Sequence, residues 1–309
     1  MIYDCRLNIA PNLCGNQKSA ISNQQLSMSS SAVQPLLALL ACPVGGNPTQ
    51  YMIEKAVAHH DLDWRYLTFE VGPDDLGDAV RGLRALGFRG AHCAAPHRQS
   101  VIALLDRTTD TAAMIGAVNL IFREENALVG ENTEGKGIVE SIRDALDPAG
   151  KAVVLLGAGQ VARAVAVELA VAGVGSLTIV NRTDSRAAEL VGVLSGKFAA
   201  TVSSVSWLDE YRVPPEADVL VNATSIEHAA SDTPLRLAAD TLRAELFVAD
   251  ATANSAETWL LGEAQARGCK TVDGLTMFIE QVAIGLRLWT GIDPDRHVLR
   301  DAAEEFLGL

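Results

Sequence analysis

A strand, a glycine turn and a helix in immediate succession constrain this chain more than any other segment. Val153-Val154-Leu155-Leu156 is a short apolar run, Gly157-Ala158-Gly159 breaks it, and Gln160-Val161-Ala162 opens a stretch of helical periodicity. G-x-G-x-x-A between a strand and a helix is the spacing of a dinucleotide-binding β-α-β unit. The first glycine allows the tight turn, the second lets backbone amides approach a pyrophosphate, and the small last residue lets the helix pack closely on the strand. Gly157, Ala158, Gly159, Gln160 and Val161 are therefore candidate cofactor-binding residues. A second apolar run, Ser176 to Val180, ends about 20 residues on, where the fingerprint requires a second strand.

The residues at the end of that second strand select the cofactor. An NAD-binding unit carries Asp or Glu there to accept hydrogen bonds from the ribose 2′-hydroxyl. This chain has Asn181-Arg182-Thr183. A guanidinium offers a planar fork of donors to a 2′-phosphate and Thr183 can add a hydroxyl, so the expected cofactor is NADP(H).

Around this unit, short apolar runs alternate with helical periodicity from residue 35 onward, which predicts an α/β fold of parallel strands covered by helices. A first series has strands at Leu36–Cys42, Trp64–Val71, Gly90–Ala94 and Asn119–Arg123, with a helix opened by Pro73 whose apolar face is Leu76, Val80, Leu83 and Leu86. A second has strands at Val153–Leu156, Ser176–Val180, Asp218–Val221 and Leu246–Asp250, with helices from near Gly159, Asp184 and Ser255. A helix over Gly135–Leu146 joins them, and the last stretch, with Ile279, Val282, Leu286 and Trp289 on one stripe, forms two helices that return to the first domain. The expected division is a tail at 1–33, a domain of 34–134 plus 276–309, and a Rossmann-type domain at 135–275.

Composition excludes several function classes. Among 309 residues, 38 Asp/Glu against 25 Lys/Arg give a formal charge of −13, with no basic stripe for a phosphate backbone, so nucleic acid is not an expected partner. Cys5, Cys14, Cys42, Cys93 and Cys269 show no metal spacing, which points to a reducing, cytoplasmic setting and no structural metal. The apolar runs are far shorter than the roughly 20 residues that span a bilayer. Residues 1–33 are rich in Ser, Asn and Gln and read as a disordered tail, with Met28 as an alternative start.

From residue 35 to its end, the sequence resembles the shikimate dehydrogenase family. The matching pieces run in the family's order: Cys42-Pro43-Val44, Gly90-Ala91 through Pro96-His97-Arg98, Gly116-Ala117-Val118-Asn119, Glu131-Asn132-Thr133-Glu134-Gly135, the Gly157 turn, Asn181-Arg182-Thr183, Asn222-Ala223-Thr224-Ser225, and Asp273-Gly274-Leu275-Thr276-Met277 leading to Gln281. The resemblance implies NADPH-dependent reduction of 3-dehydroshikimate to shikimate, in a cleft between an N-terminal substrate domain and the Rossmann domain. It also implies that Asn119 and Gln281 bind substrate, and that Asn222, Ala223, Thr224, Gly274 and Met277 belong with the cofactor. The partner is then a small cyclic hydroxy acid, and a homodimer is compatible with this reading.

The chemical centre departs from that family. Its catalytic Lys and Asp correspond to Arg98 and Glu134. Arginine stays protonated, so Arg98 can orient and stabilise an alkoxide and pair with a carboxylate but cannot act as an ordinary base. Glu134 carries one methylene more than Asp, which moves its carboxylate by about 1.5 Å, and about 1 Å of misplacement can cost on the order of a hundredfold. An Arg98–Glu134 ion pair is expected, with Glu134 or a histidine in the proton role. His92 stands where the family has Asn and is a candidate substrate residue; His97 precedes Arg98 as is usual in the family. The family's carboxylate-gripping Ser-x-Ser aligns with Asn47-Pro48-Thr49, which makes Asn47 and Thr49 substrate candidates, and its substrate-contacting Tyr aligns with Ala253. Three readings are open: a dehydrogenase for shikimate, one for quinate, aminoshikimate or another polyol acid, and a catalytically weak NADP-binding regulatory protein.

Overall fold

The computed structural model describes residues 33–225, 235–252 and 258–309, so the expected tail up to residue 32, the Met28 start, Ala253 and Ser255 lie outside the described residues. Chain order begins β1 (Leu36–Ala41), α1 (Thr49–His59), β2 (Arg65–Glu70), α2 (Leu76–Ala85), β3 (Gly90–Cys93), β4 (Arg107–Thr108), α3 (Asp110–Ile115), β5 (Leu120–Glu124), β6 (Ala127–Glu131) and α4 (Glu134–Arg143). These strands form one sheet in the order β2-β1-β3-β5-β6-β4. The expectation of parallel strands needs correction here: β1 pairs in parallel with β2 and β3, but β5 runs antiparallel to β3 and forms a hairpin with β6. The hairpin turns at Glu125, whose φ is +50°. Leu86 is also corrected. It falls past the end of α2 as its C-cap and is 71% exposed, while Leu76, Val80 and Leu83 are buried as expected.

The second series is β7 (Ala152–Leu156), α5 (Gln160–Val171), β8 (Ser176–Asn181), α6 (Asp184–Leu194), β9 (Thr201–Ser206), β10 (Val219–Asn222), β11 (Phe247–Asp250), α7 (Trp259–Ala266) and β12 (Lys270–Val272). Its sheet has the order β9-β8-β7-β10-β11-β12 and every pairing is parallel. Both faces are covered, which is why β7, β10 and β11 read as continuous apolar runs rather than alternating ones. The strand order reverses between β7 and β10, and ligands of doubly wound sheets bind outside the strands' carboxyl ends at such a switch point.

Two helices close the chain, α8 (Gly274–Thr290) and α9 (Arg296–Leu307). They return to the first sheet: Leu275, Ile279, Val282, Leu286 and Leu299 share a core with Leu37, Leu39 and Ile53. Between the sheets, α4 is packed tightly enough to exclude side chains. A Cβ on Gly135 would meet the carbonyl oxygen of Ala164 on α5, and one on Gly137 would come within 2.5 Å of the Met277 carbonyl oxygen on α8. Lys136 adds a charged contact, with Nζ 3.0 Å from Glu168 Oε1 on α5 and 4.0 Å from Glu131 Oε2 at the end of β6. The first residue of this clamped helix is Glu134.

Candidate active site

The carboxyl ends of β7 and β10 open onto a cavity of about 530 Å³, within the range of about 300–1,000 Å³ usual for ligand pockets. Gly157 follows β7 with φ +109°, a conformation that L side chains rarely adopt, and a Cβ there would lie 2.9 Å from the Ala223 carbonyl oxygen on the neighbouring crossover. Its N–H donates to Val180 O at 2.8 Å, which ties the turn to β8. Gly159 is the extended N-cap of α5, with nothing within 4 Å of an added Cβ, so the first turn of α5 faces open space. That is the geometry of a helix N-terminus able to receive a pyrophosphate. Gly157, Ala158, Gly159, Gln160 and Val161 all line the cavity, as do Asn181, Arg182, Thr183, Ala223, Thr224 and Met277.

Arg186, in the first turn of α6, also lines it, together with Trp207, Ser225, Ala251 and Phe278. Sequence reasoning had not singled out Arg186 or Trp207. The signal for Arg186 was its position four residues beyond Arg182. Arg182 and Arg186 are exposed and form no ion pair with the described acidic residues, so two guanidinium groups remain available for one phosphate.

At the other end of the cavity stand Arg98, Glu134 and Gln281. Arg98 Nη1 lies 2.7 Å from Glu134 Oε1, with the Glu134 side chain 6% exposed and that of Arg98 36% exposed. The expected ion pair is therefore formed. Arg98 Nε is buried with no hydrogen-bond partner among the described residues, an unmet donor beside the pair. Glu134 is placed by a rigid turn. Asn132 Oδ1 accepts from Glu134 N at 3.0 Å, and Asn132 Nδ2 donates to Ala117 O at 3.2 Å. Asn119 completes it, accepting from Thr133 N through Oδ1 at 2.8 Å and donating from Nδ2 to Thr133 Oγ1 at 3.0 Å.

Several expected site residues stand behind the cavity wall rather than on it. Both polar ends of the Asn119 side chain are engaged by Thr133. Asn222 is fully buried, donating to Asp250 Oδ1 at 3.2 Å and accepting from Thr224 N at 3.1 Å, so it orients the loop whose next residues line the cavity. Gly274 is the buried first residue of α8, one turn before Met277. Asn47 Oδ1 accepts from Thr49 N at 3.0 Å, and Thr49, 4% exposed, is the first residue of α1.

Both histidines near Arg98, the substrate candidate His92 and His97, are buried. His92 lies on β3 beneath α8, its Nδ1 sharing a 2.8 Å hydrogen bond with the buried Tyr66 hydroxyl and its ring edge-on to Trp289. Burial pushes its pKa down to about 3, so the ring stays neutral and takes up no second proton at working pH. His97 is fully buried, with Nε2 donating to Val71 O at 2.7 Å. Neither ring lines the cavity. Sequence placed both in a site loop, but β3 alternation turns Ala91 and Cys93 to one face and His92 to the other. Cys93 is inert as a nucleophile, its thiol pushed up to about 12 by burial despite the nearby Arg98. Among the described residues no cluster could hold a metal ion and no helix is long and apolar enough to cross a membrane.

A parallel doubly wound sheet with a glycine turn at its switch point, facing an ion pair from a second α/β lobe, defines a two-lobe dinucleotide-binding protein. Three domain families match it in order: the shikimate dehydrogenase substrate binding domain over residues 39–121, shikimate/quinate 5-dehydrogenase over 138–248, and the shikimate 5′-dehydrogenase C-terminal domain over 274–304. The shikimate dehydrogenase (NADP⁺) of Moorella thermoacetica is 41% identical over 88% of this chain and 94% of its own length. Solved structures are similar over most of the chain, among them these two. The ligand-free 5-ketofructose reductase of a Gluconobacter strain has a TM-score of 0.86 at 38% identity, covering 89% of this chain and 99% of that one. The shikimate 5-dehydrogenase of Listeria monocytogenes, solved with shikimate and NAD, has a TM-score of 0.82 at 29% identity over 89% and 98%. This chain belongs to the shikimate dehydrogenase family.

Proposed function

We propose that this protein is an NADP(H)-dependent oxidoreductase that interconverts a ring ketone and a ring hydroxyl, with 3-dehydroshikimate and shikimate as the pair. The observation that carries this reading is the Arg98–Glu134 pair facing the Gly157 turn and Gln281 across one cavity. Residues 135–275 hold the cofactor, and 34–134 with 276–309 hold the substrate. The glycine turn and the start of α5 receive the pyrophosphate, Arg182, Arg186 and Thr183 take the 2′-phosphate, and Ala223, Thr224 and Met277 line the cavity beyond them. The bound nicotinamide supplies or accepts the hydride.

The proton falls to the chain. Arg98 cannot release one, and the two nearby histidines are turned away from the cavity and engaged by Tyr66 and Val71. Glu134 remains. Its carboxylate takes the carbinol proton as oxidation proceeds and returns it on reduction, while Arg98 stabilises the alkoxide-like oxygen between them. Asn119 acts one step back, fixing the turn that presents Glu134.

One observation favours a second substrate. Among the described residues no cation besides the paired Arg98 lines that end of the cavity, and the hydroxyl pair of the family's carboxylate grip is here the Asn47 amide and the Thr49 hydroxyl, donors that serve a neutral polyol as well as an acid. The Gluconobacter relative is a reductase of a keto-sugar. A neutral cyclic keto-polyol suits such a site, and quinate is the acidic competitor. Nicotinamide absorbance followed with NADP⁺ and shikimate, quinate, or a sugar alcohol, and with NADPH and 5-ketofructose, separates them. Turnover confined to the keto-sugar would move the assignment, and activity with none would overturn the oxidoreductase reading.

A further inference from the structure

The first sheet carries a second cavity at the end opposite the cleft. The site loops leave β1 and β3 at their carboxyl ends, after Ala41 and Cys93. The other end, where Leu36, Arg65 and Gly90 begin the parallel strands and Phe122 runs antiparallel beside Gly90, borders a cavity of about 240 Å³. It is lined by Trp64, Arg89, Phe122, Arg123, Leu288 and Trp289. The dinucleotide cavity includes none of these residues.

Three aromatic rings and two guanidinium groups in one small cavity are unusual for a chain with a net charge of −13. Among the described residues neither charge is neutralised there. Arg123 is held by neutral acceptors, donating from Nε to Phe88 O at 2.8 Å and from Nη2 to Leu83 O at 3.2 Å and Arg84 O at 3.3 Å. The carboxylate that feels its charge, Asp106, is already paired with Arg84 at 2.8 Å. Arg89 is exposed and has no side-chain hydrogen bond or ion pair among the described residues. The indole of Trp289 is fixed by donation from Nε1 to Ile121 O at 2.9 Å, so it offers its ring and not its N–H.

The cavity's size and lining specify the ligand. At about 240 Å³ it is less than half the size of the dinucleotide cavity of about 530 Å³, a size that suits one substituted ring better than a nucleotide. Aromatic walls favour a planar π-face, and a free guanidinium at the rim matches a carboxylate bidentately. We propose that this cavity binds a monocyclic aromatic carboxylate, at a site separate from the cofactor and substrate cleft.

Calorimetric titration of the full-length protein with benzoate tests this, with benzamide as the uncharged control. The expected result is one saturable site that binds benzamide at least about tenfold more weakly, about 1.4 kcal/mol. Arg89→Ala and Leu288→Glu, both exposed positions, should each weaken benzoate at least about tenfold, and the Arg182→Ala/Arg186→Ala double variant should leave it within about twofold. No saturation up to about 10 mM benzoate would overturn the proposal, as would less than about a threefold effect of both Arg89→Ala and Leu288→Glu. Loss of binding only in the double variant would place benzoate in the dinucleotide cleft and overturn it equally. Benzamide binding as tightly as benzoate would remove the anion from the assignment.

Discussion

Replacing His92 should flatten part of this protein's acid instability. In the folded chain its pKa is held at about 3 by burial, against 6.5 for the free side chain. A histidine with a depressed folded pKa contributes its full stability above the unfolded value and loses it as pH falls toward the folded one, because only the unfolded chain takes up the proton in that window. Between pH 7.5 and pH 5 the loss works out at about 2 kcal/mol, and it reaches about 4 kcal/mol near pH 3. Urea unfolding of wild type and His92→Gln at pH 7.5 and pH 5 reads this directly, since other titrating groups are common to both proteins. Wild type should lose about 2 kcal/mol more than the variant between the two conditions. Equal losses would show that His92 is solvated and titrates normally in the folded state, and would return it to the candidates for proton transfer.

The same geometry has other consequences. Arg182→Ala and Arg186→Ala should each raise the KM for NADP⁺ about tenfold or more, the scale of a lost charge-assisted hydrogen bond, while leaving that for NAD⁺ nearly unchanged; parallel increases would refute the phosphate assignment. Gly157→Ala forces an L side chain into φ +109° and against Ala223, so thermal unfolding should show a loss of about 1–3 kcal/mol with weakened cofactor binding. Glu134→Gln preserves shape but removes the charge facing Arg98; kcat should fall roughly a hundredfold with cofactor affinity unchanged, and a kcat near wild type would relieve Glu134 of the proton role.

The inner strands of the second sheet were legible because β7, β10 and β11 are buried along their length, so apolar runs and the Gly157-Ala158-Gly159 break marked them without tertiary information. Strands that lack that signal were missed. β9, with the sequence Thr201-Val-Ser-Ser-Val-Ser206, is an exposed edge strand, and β6 carries Gly130 and ends on a carboxylate. The same limit governed the site. Arg98 and Glu134 could be paired from motif order, and Arg182 from the fingerprint. The burial of His92 under α8, however, depends on Gly285 and Trp289, which sequence places far from it. Asn119 and Asn222 were recognised as site residues for their position, but whether an amide faces ligand or braces a turn is decided by neighbours such as Thr133 and Asp250.

If Arg98 and Glu134 together run hydride chemistry with NADP(H) on a ring substrate, one measurement bears on them most directly. It is steady-state turnover of the wild-type protein with NADP⁺ and shikimate, set beside NAD⁺ and shikimate and beside Glu134→Gln. Turnover that prefers NADP⁺ and collapses in the variant is the expected result. No turnover with shikimate, quinate or a neutral polyol in either direction, in protein shown to bind NADP⁺, would contradict it and leave a cofactor-binding protein without the reaction.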